Sequence, residues 1–198
     1  MNLPNKLTIF RIILVIIMII LTLFDIQGEV FGIPIVAIVL DAIFIIASIT
    51  DKLDGYLARS RNEITTFGKF LDPIADKILV ITAMIILVEM GRLPAWIPTI
   101  IVFREFIVSG YRLVAVQNGG KVIAANIWGK LKTVTQMIAI IVAFIDVNSF
   151  GAIFTQKLEG YSLVINIITT FMMIICVIAT IFSGWEYLKE GKDLFKDM

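Results

Sequence analysis

Six segments, at about 9–24, 33–58, 70–90, 94–117, 124–146 and 161–183, take up most of this 198-residue chain, and each carries a long apolar run. A helix needs about 20 such residues to cross a bilayer, so six crossings leave no room for a separate soluble domain. The first run is short and spans only if Leu3–Arg11 continues the helix, with Arg11 reaching back to the interface. No small-residue cleavage site follows it in Asp25-Ile26-Gln27-Gly28-Glu29, which favours a retained helix over a secretory signal. Composition agrees: 59% of residues are hydrophobic and 17% charged, against about half and a quarter in soluble domains. The expectation is an all-α integral membrane protein of six transmembrane helices, a single domain over 1–198. A short amphipathic segment opens the chain, and residues 184–198, with Trp185, Tyr187, Leu188, Leu194 and Phe195 among charges, form an interfacial tail.

Six crossings place both termini on one side. Lys6, Arg11, Lys52, Arg59, Arg61, Lys69, Lys121, Lys130, Lys132, Lys189, Lys192 and Lys196 fall on that side, and only Arg92 and Lys157 on the other. The excess of Lys and Arg marks the first side as cytoplasmic. The net charge of +1 offers no basic field for nucleic acid. The chain has no histidine and one cysteine, Cys176, within an apolar run. Imidazole bases, internal disulfides and His- or Cys-ligated metals are therefore excluded. Proton transfer and metal binding fall to carboxylates, whose oxygens suit Mg²⁺ or Mn²⁺.

The residues that carry chemistry cluster at the second cytoplasmic loop. Asp51 and Asp54 are three apart at the end of the second helix, and Asp72 and Asp76 four apart at the start of the third, where Pro73 suits a first turn. Consecutive antiparallel helices can bring the four acids to one depth. Clustered carboxylates repel one another unless one or two divalent cations neutralise them, and two such ions can bridge a diphosphate. Gly55 and Ala58 would let a nucleotide approach the helix backbone, and Arg59 could grip a phosphate with a forked contact. A solvated helix end explains any one of these acids; it does not explain four at matched spacings.

The string Asp51-x2-Asp54-Gly55-x2-Ala58-Arg59-x8-Gly68-x3-Asp72-x3-Asp76 matches without departure the signature of the CDP-alcohol phosphatidyltransferase family. The segments 2–11, 104–112 and 124–133 resemble the branch of that family that uses glycerol 3-phosphate as acceptor. The resemblance implies a six-helix, homodimeric membrane enzyme, with a cavity open to cytoplasm and lipid. It would move a phosphatidyl group from CDP-diacylglycerol to an alcohol and release CMP. By motif position Asp51, Asp54, Asp72 and Asp76 would bind two Mg²⁺ or Mn²⁺ ions, with Asp76 also the base. Asn5, Thr8, Gly55, Ala58, Arg59, Thr65 and Gly68 would surround the cytidine diphosphate.

Arg104, Arg112, Lys130 and Lys132 interrupt or border apolar runs, and an anionic acceptor phosphate would satisfy them. The alternative is an ion pair of Glu105 with Arg104 or Arg112, plus interfacial lysines. Serine, inositol phosphate or a phospholipid stay open as acceptors. Asp41, outside the signature, reads as a hydrogen-bonded or protonated buried carboxyl, and Trp96, Trp128 and Trp185 as interfacial anchors. Cys176 reads as lipid-facing or packed filler. Two rival functions fit less well. An intramembrane prenyltransferase would set its aspartate motifs on widely separated helices, and an ion or solute transporter would place charges near the bilayer midplane.

Overall fold

The computed structural model describes residues 2–60, 65–117 and 127–190, the side chains at 52, 54–60, 66–67, 69, 112–117 and 190 excepted. Among the described residues the regular structure is helical apart from one hairpin: α1 (Leu3–Thr22), β1 (Glu29–Val30), β2 (Ile33–Pro34), α2 (Ile35–Ser60), α3 (Thr66–Glu89), α4 (Trp96–Gln117), α5 (Ile127–Ile145), α6 (Ala152–Thr155) and α7 (Gly160–Glu190). Packing groups it into two compact units, residues 1–93 with 140–149, and residues 94–139 with 150–198.

In the first unit α1 lies against both α2 and α3. Pro4 sits in the first turn of α1, where its missing N–H costs no helical bond. The helix is polarised opposite to one in a soluble protein. Asn5, Thr8 and Arg11 are buried together with Leu14, Val15 and Met18, while Phe10, Ile13, Ile16, Ile17, Ile19 and Ile20 are exposed. Apolar outside and polar inside is the arrangement hydrocarbon demands. Ala37, Leu40, Phe44 and Ala47 carry the buried stripe of α2, and Leu79, Ala83, Met84 and Leu87 that of α3. The hairpin pairs Glu29 with Pro34 and Val30 with Ile33. Its two turn residues, Phe31 (φ 55°) and Gly32 (φ 77°), both adopt the left-handed backbone that a tight two-residue hairpin needs.

The start of α3 corrects one expectation. The helix opens at Thr66, capped by Thr65, so Pro73 is an interior residue rather than a first-turn one. It is exposed, and the Lys69 carbonyl that a residue there would ordinarily bond finds no N–H on it. At the far end of this unit Arg92 is buried. It donates to the Ala143 oxygen at 3.2 Å and to the Phe144 oxygen, capping the last turn of α5. Burial pulls its pKa down and the nearby Asp146 carboxylate opposes that.

In the second unit α4 packs along α7. The α7 helix runs 31 residues, so the start of the expected tail continues it as far as Glu190. Residues 191–198 lie outside the described residues. Its buried polar residues Asn166 and Thr170 hold the start of α6, accepting from the amides of Ile153 and Gly151 respectively. Among the described residues α1, α5 and the stretch Gly160–Lys189 of α7 are long and apolar enough to cross a membrane. Together with the inverted polarity of α1, this makes the chain a predominantly helical membrane protein.

Candidate active site

In the first unit a polar seam on α1 ties together the helices that carry the acids. The Thr8 hydroxyl donates to Asp72 Oδ1 at 2.7 Å. One helical turn on, Arg11 Nη1 lies 2.8 Å from Asp51 Oδ1, with the arginine fully buried. One turn back, Asn5 Oδ1 accepts from the Thr65 hydroxyl at 3.0 Å, and Thr65 Oγ1 in turn accepts from the Gly68 amide at 3.0 Å. Residues 5, 8 and 11 fall on one face because three residues make nearly a full turn. Arg11 therefore does not reach to the interface; it is a buried counter-ion for Asp51. The expectation failed because it treated a cation near a span end as a solvent-seeking group. The regular spacing of Asn5, Thr8 and Arg11 was the sequence signal for an inward polar face.

Gly68 is required by this seam. A Cβ there would lie 2.9 Å from Asn5 Oδ1, closer than such atoms pack, with a tight 3.2 Å to Thr65 Oγ1 and an ordinary 3.7 Å to Asp72 Oδ2. The signature glycine lets the start of α3 meet α1 at this point.

Asp51, in the second half of α2, and Asp72 and Asp76, in the first half of α3, are each partly buried. The side chains of Asp54, Ala58 and Arg59, and any side-chain view of Gly55's surroundings, lie outside the described residues. Among the described residues no three acidic side chains lie close enough to hold a metal ion on their own. The donor chemistry nevertheless suits a divalent cation. Every candidate ligand is a carboxylate, and Asp51 and Asp72 each meet an orienting partner through Oδ1, the support that metal-binding side chains ordinarily have.

Two of the basic residues, Arg104 and Lys132, form a second cluster, in the other unit. Arg104 Nη1 lies 2.9 Å and Lys132 Nζ 2.7 Å from the same atom, Glu105 Oε1. The Arg104–Glu105 pair that stood as the alternative reading thus exists, and Lys132 joins it. The triad keeps a net positive charge. Lys130 is exposed, and the Arg112 side chain lies outside the described residues. Asp41 is buried on α2, and its Oδ1 has no hydrogen-bond partner among the described residues. Cys176 is packed rather than lipid-facing. Trp96 and Trp185 are largely exposed, whereas Trp128 stacks on Phe182 with ring centroids 5.0 Å apart.

Apolar helices with a polar seam on α1 that braces the carboxylates of two neighbouring helices, Asp51 and Asp72, define a helical membrane protein with an acid-bearing interior. The chain belongs to the CDP-alcohol phosphatidyltransferase family, whose sequence profile matches residues 1–185. It is 42% identical to the CDP-diacylglycerol–glycerol-3-phosphate 3-phosphatidyltransferase of Bacillus subtilis, over 98% of this chain and 97% of that one. The protein of the same description from Haemophilus influenzae is 36% identical, covering 99% and 96%. A probable phosphatidylglycerophosphate synthase of Mycobacterium tuberculosis is 36% identical, covering 96% of this chain and 81% of its own.

Proposed function

We propose that the protein transfers the phosphatidyl group of CDP-diacylglycerol to glycerol 3-phosphate, giving phosphatidylglycerophosphate and CMP. The observation that carries this reading is near-full-length similarity to relatives described by that activity, in a chain that retains every residue of the family signature. The chain acts as one membrane domain over 1–198. Six helices cross the cytoplasmic membrane, with active site and termini toward the cytoplasm, and the enzyme works as a homodimer.

Asp51, Asp54, Asp72 and Asp76 hold the divalent cations, Mg²⁺ or Mn²⁺ and two in number. When bound, these neutralise the diphosphate and the departing CMP. Asn5, Thr8, Gly55, Ala58, Arg59, Thr65 and Gly68 bound the nucleotide, with the Thr8 and Arg11 contacts fixing the directions of Asp72 and Asp51. Arg104, Arg112, Lys130 and Lys132 hold the acceptor phosphate. Asp76 removes the proton of the acceptor hydroxyl, a task left to a carboxylate in a chain without histidine. The freed oxygen attacks the phosphorus bearing diacylglycerol, the bond to the CMP oxygen breaks, and the acyl chains stay in the bilayer throughout.

Purified protein in detergent or vesicles, given CDP-diacylglycerol and Mg²⁺ with each acceptor in turn, tests this. CMP and phosphatidylglycerophosphate form with glycerol 3-phosphate. Turnover with serine, inositol phosphate or a phospholipid instead would overturn the choice of acceptor, and CMP formation unaffected by chelation would overturn the metal.

A further inference from the structure

The guanidinium of Arg104 is held by more than its ion pair. Beyond the 2.9 Å contact with Glu105, its Nη2 donates to the Ser183 hydroxyl, and its central carbon lies 5.7 Å from the centroid of the Tyr187 ring. Its aliphatic stem passes the backbone of α7 at Gly184, where a Cβ would come within 3.3 Å of Cγ. Ser183 and Tyr187 are one helical turn apart, 0% and 2% exposed, on a helix that packs along α4. Tyr187 is set edge-on to Tyr111 of α4, with centroids 6.2 Å apart.

We infer that Ser183 and Tyr187, admitted by the bare backbone at Gly184, are positioning residues of the acceptor site, fixing the plane of Arg104 so that it meets the acceptor phosphate beside Lys132. The inference rests on the reading above that Arg104 binds that phosphate. A guanidinium only 12% exposed adds little or nothing to stability over a well-packed apolar side chain, so hydrogen bond, ring and glycine gap are better explained by orientation than by folding. An arginine fork recognises a tetrahedral anion through two parallel N–H bonds, which requires its plane to be set in advance. Glu105 adds to this by taking Arg104 and Lys132 on a single oxygen. The two cationic nitrogens are then no further apart than those two contacts together allow, within reach of neighbouring oxygens of one phosphate. Arginine has five N–H donors and lysine three, so the described bonds leave donors for a ligand.

The test compares KM for glycerol 3-phosphate and for CDP-diacylglycerol in Arg104→Gln, Ser183→Ala, Tyr187→Leu, Tyr187→Phe and the Arg104→Gln/Ser183→Ala double variant. Ser183→Ala should raise the acceptor KM about five- to tenfold, the scale of one ordinary hydrogen bond, with donor KM within about twofold. Tyr187→Leu should raise it about three- to fivefold, and Tyr187→Phe, which keeps the ring face, should restore most of the affinity. In the Arg104→Gln background Ser183→Ala should add nothing, because the two act through one group. If Arg104→Gln leaves acceptor KM unchanged, the acceptor-site reading itself falls. If Arg104→Gln raises it while Ser183→Ala and Tyr187→Leu change neither KM, or both equally, or act as strongly in the double variant, positioning by α7 is overturned and Arg104 stands as a ligand without it.

Discussion

Thr8 and Asp76 separate two roles at the level of single side chains. Thr8 does no chemistry in this scheme; it fixes a carboxylate. Thr8→Val keeps the shape and removes the donor to Asp72, so the Mg²⁺ or Mn²⁺ concentration giving half-maximal activity should rise about 10- to 100-fold. A metal titration of CMP release checks this, and an unchanged activation curve counts against Thr8 as a support. Asp76→Asn should abolish transfer while CDP-diacylglycerol still binds, measured by equilibrium binding of the nucleotide; full turnover in that variant removes Asp76 as the base. The sequence made both acids legible because their spacing is a helical spacing. It hid the partners, because Thr8 and Asp72 are 64 residues apart and only packing joins them. Arg11 shows the same limit, since a buried and an interfacial arginine look alike until the opposite helix is known.

Among the helices, apolar runs marked where the long helices lie and missed where they end. The α3 helix begins at Thr66 and α7 continues to Glu190, because polar residues extend a helix beyond its apolar run without an apolar signal. Glycines marked the turn at 28–32, but strands two residues long are too short for any alternation to reveal. The four-residue α6 was equally invisible. Arg92 matters at this scale, as the residue that closes the end of α5 with two carbonyl bonds in the shadow of Asp146. Arg92→Met should lower stability by about 2 kcal/mol, a drop of several degrees in Tm by thermal unfolding in detergent. It lies 20 residues along from Asp72, on the order of 30 Å of helix, so KM and kcat of the protein that remains folded should stay near normal. A fall in kcat without a change in Tm would mean that the cap serves the site instead.

For the whole molecule, the balance of lysine and arginine predicts which loops face which compartment, and cysteine labelling can read it. Cys176 is buried and should not react with a membrane-impermeant maleimide, which leaves a clean background. A cysteine replacing Phe31 at the hairpin tip, 95% exposed, should label from outside intact cells. One replacing Lys189 should label only after the cytoplasmic face is opened; labelling of both from the same side would break the six-crossing topology.

The first helix contributes no signature aspartate, yet it touches the two helices that do, at Asp51 and at Asp72, one turn apart. Screening sequences for the aspartate string alone would therefore overlook a class of silent failures. A chain can keep all four acids in register and still lose the aim of two of them, Asp51 and Asp72, through a change at the opposite end of its own amino-terminal half.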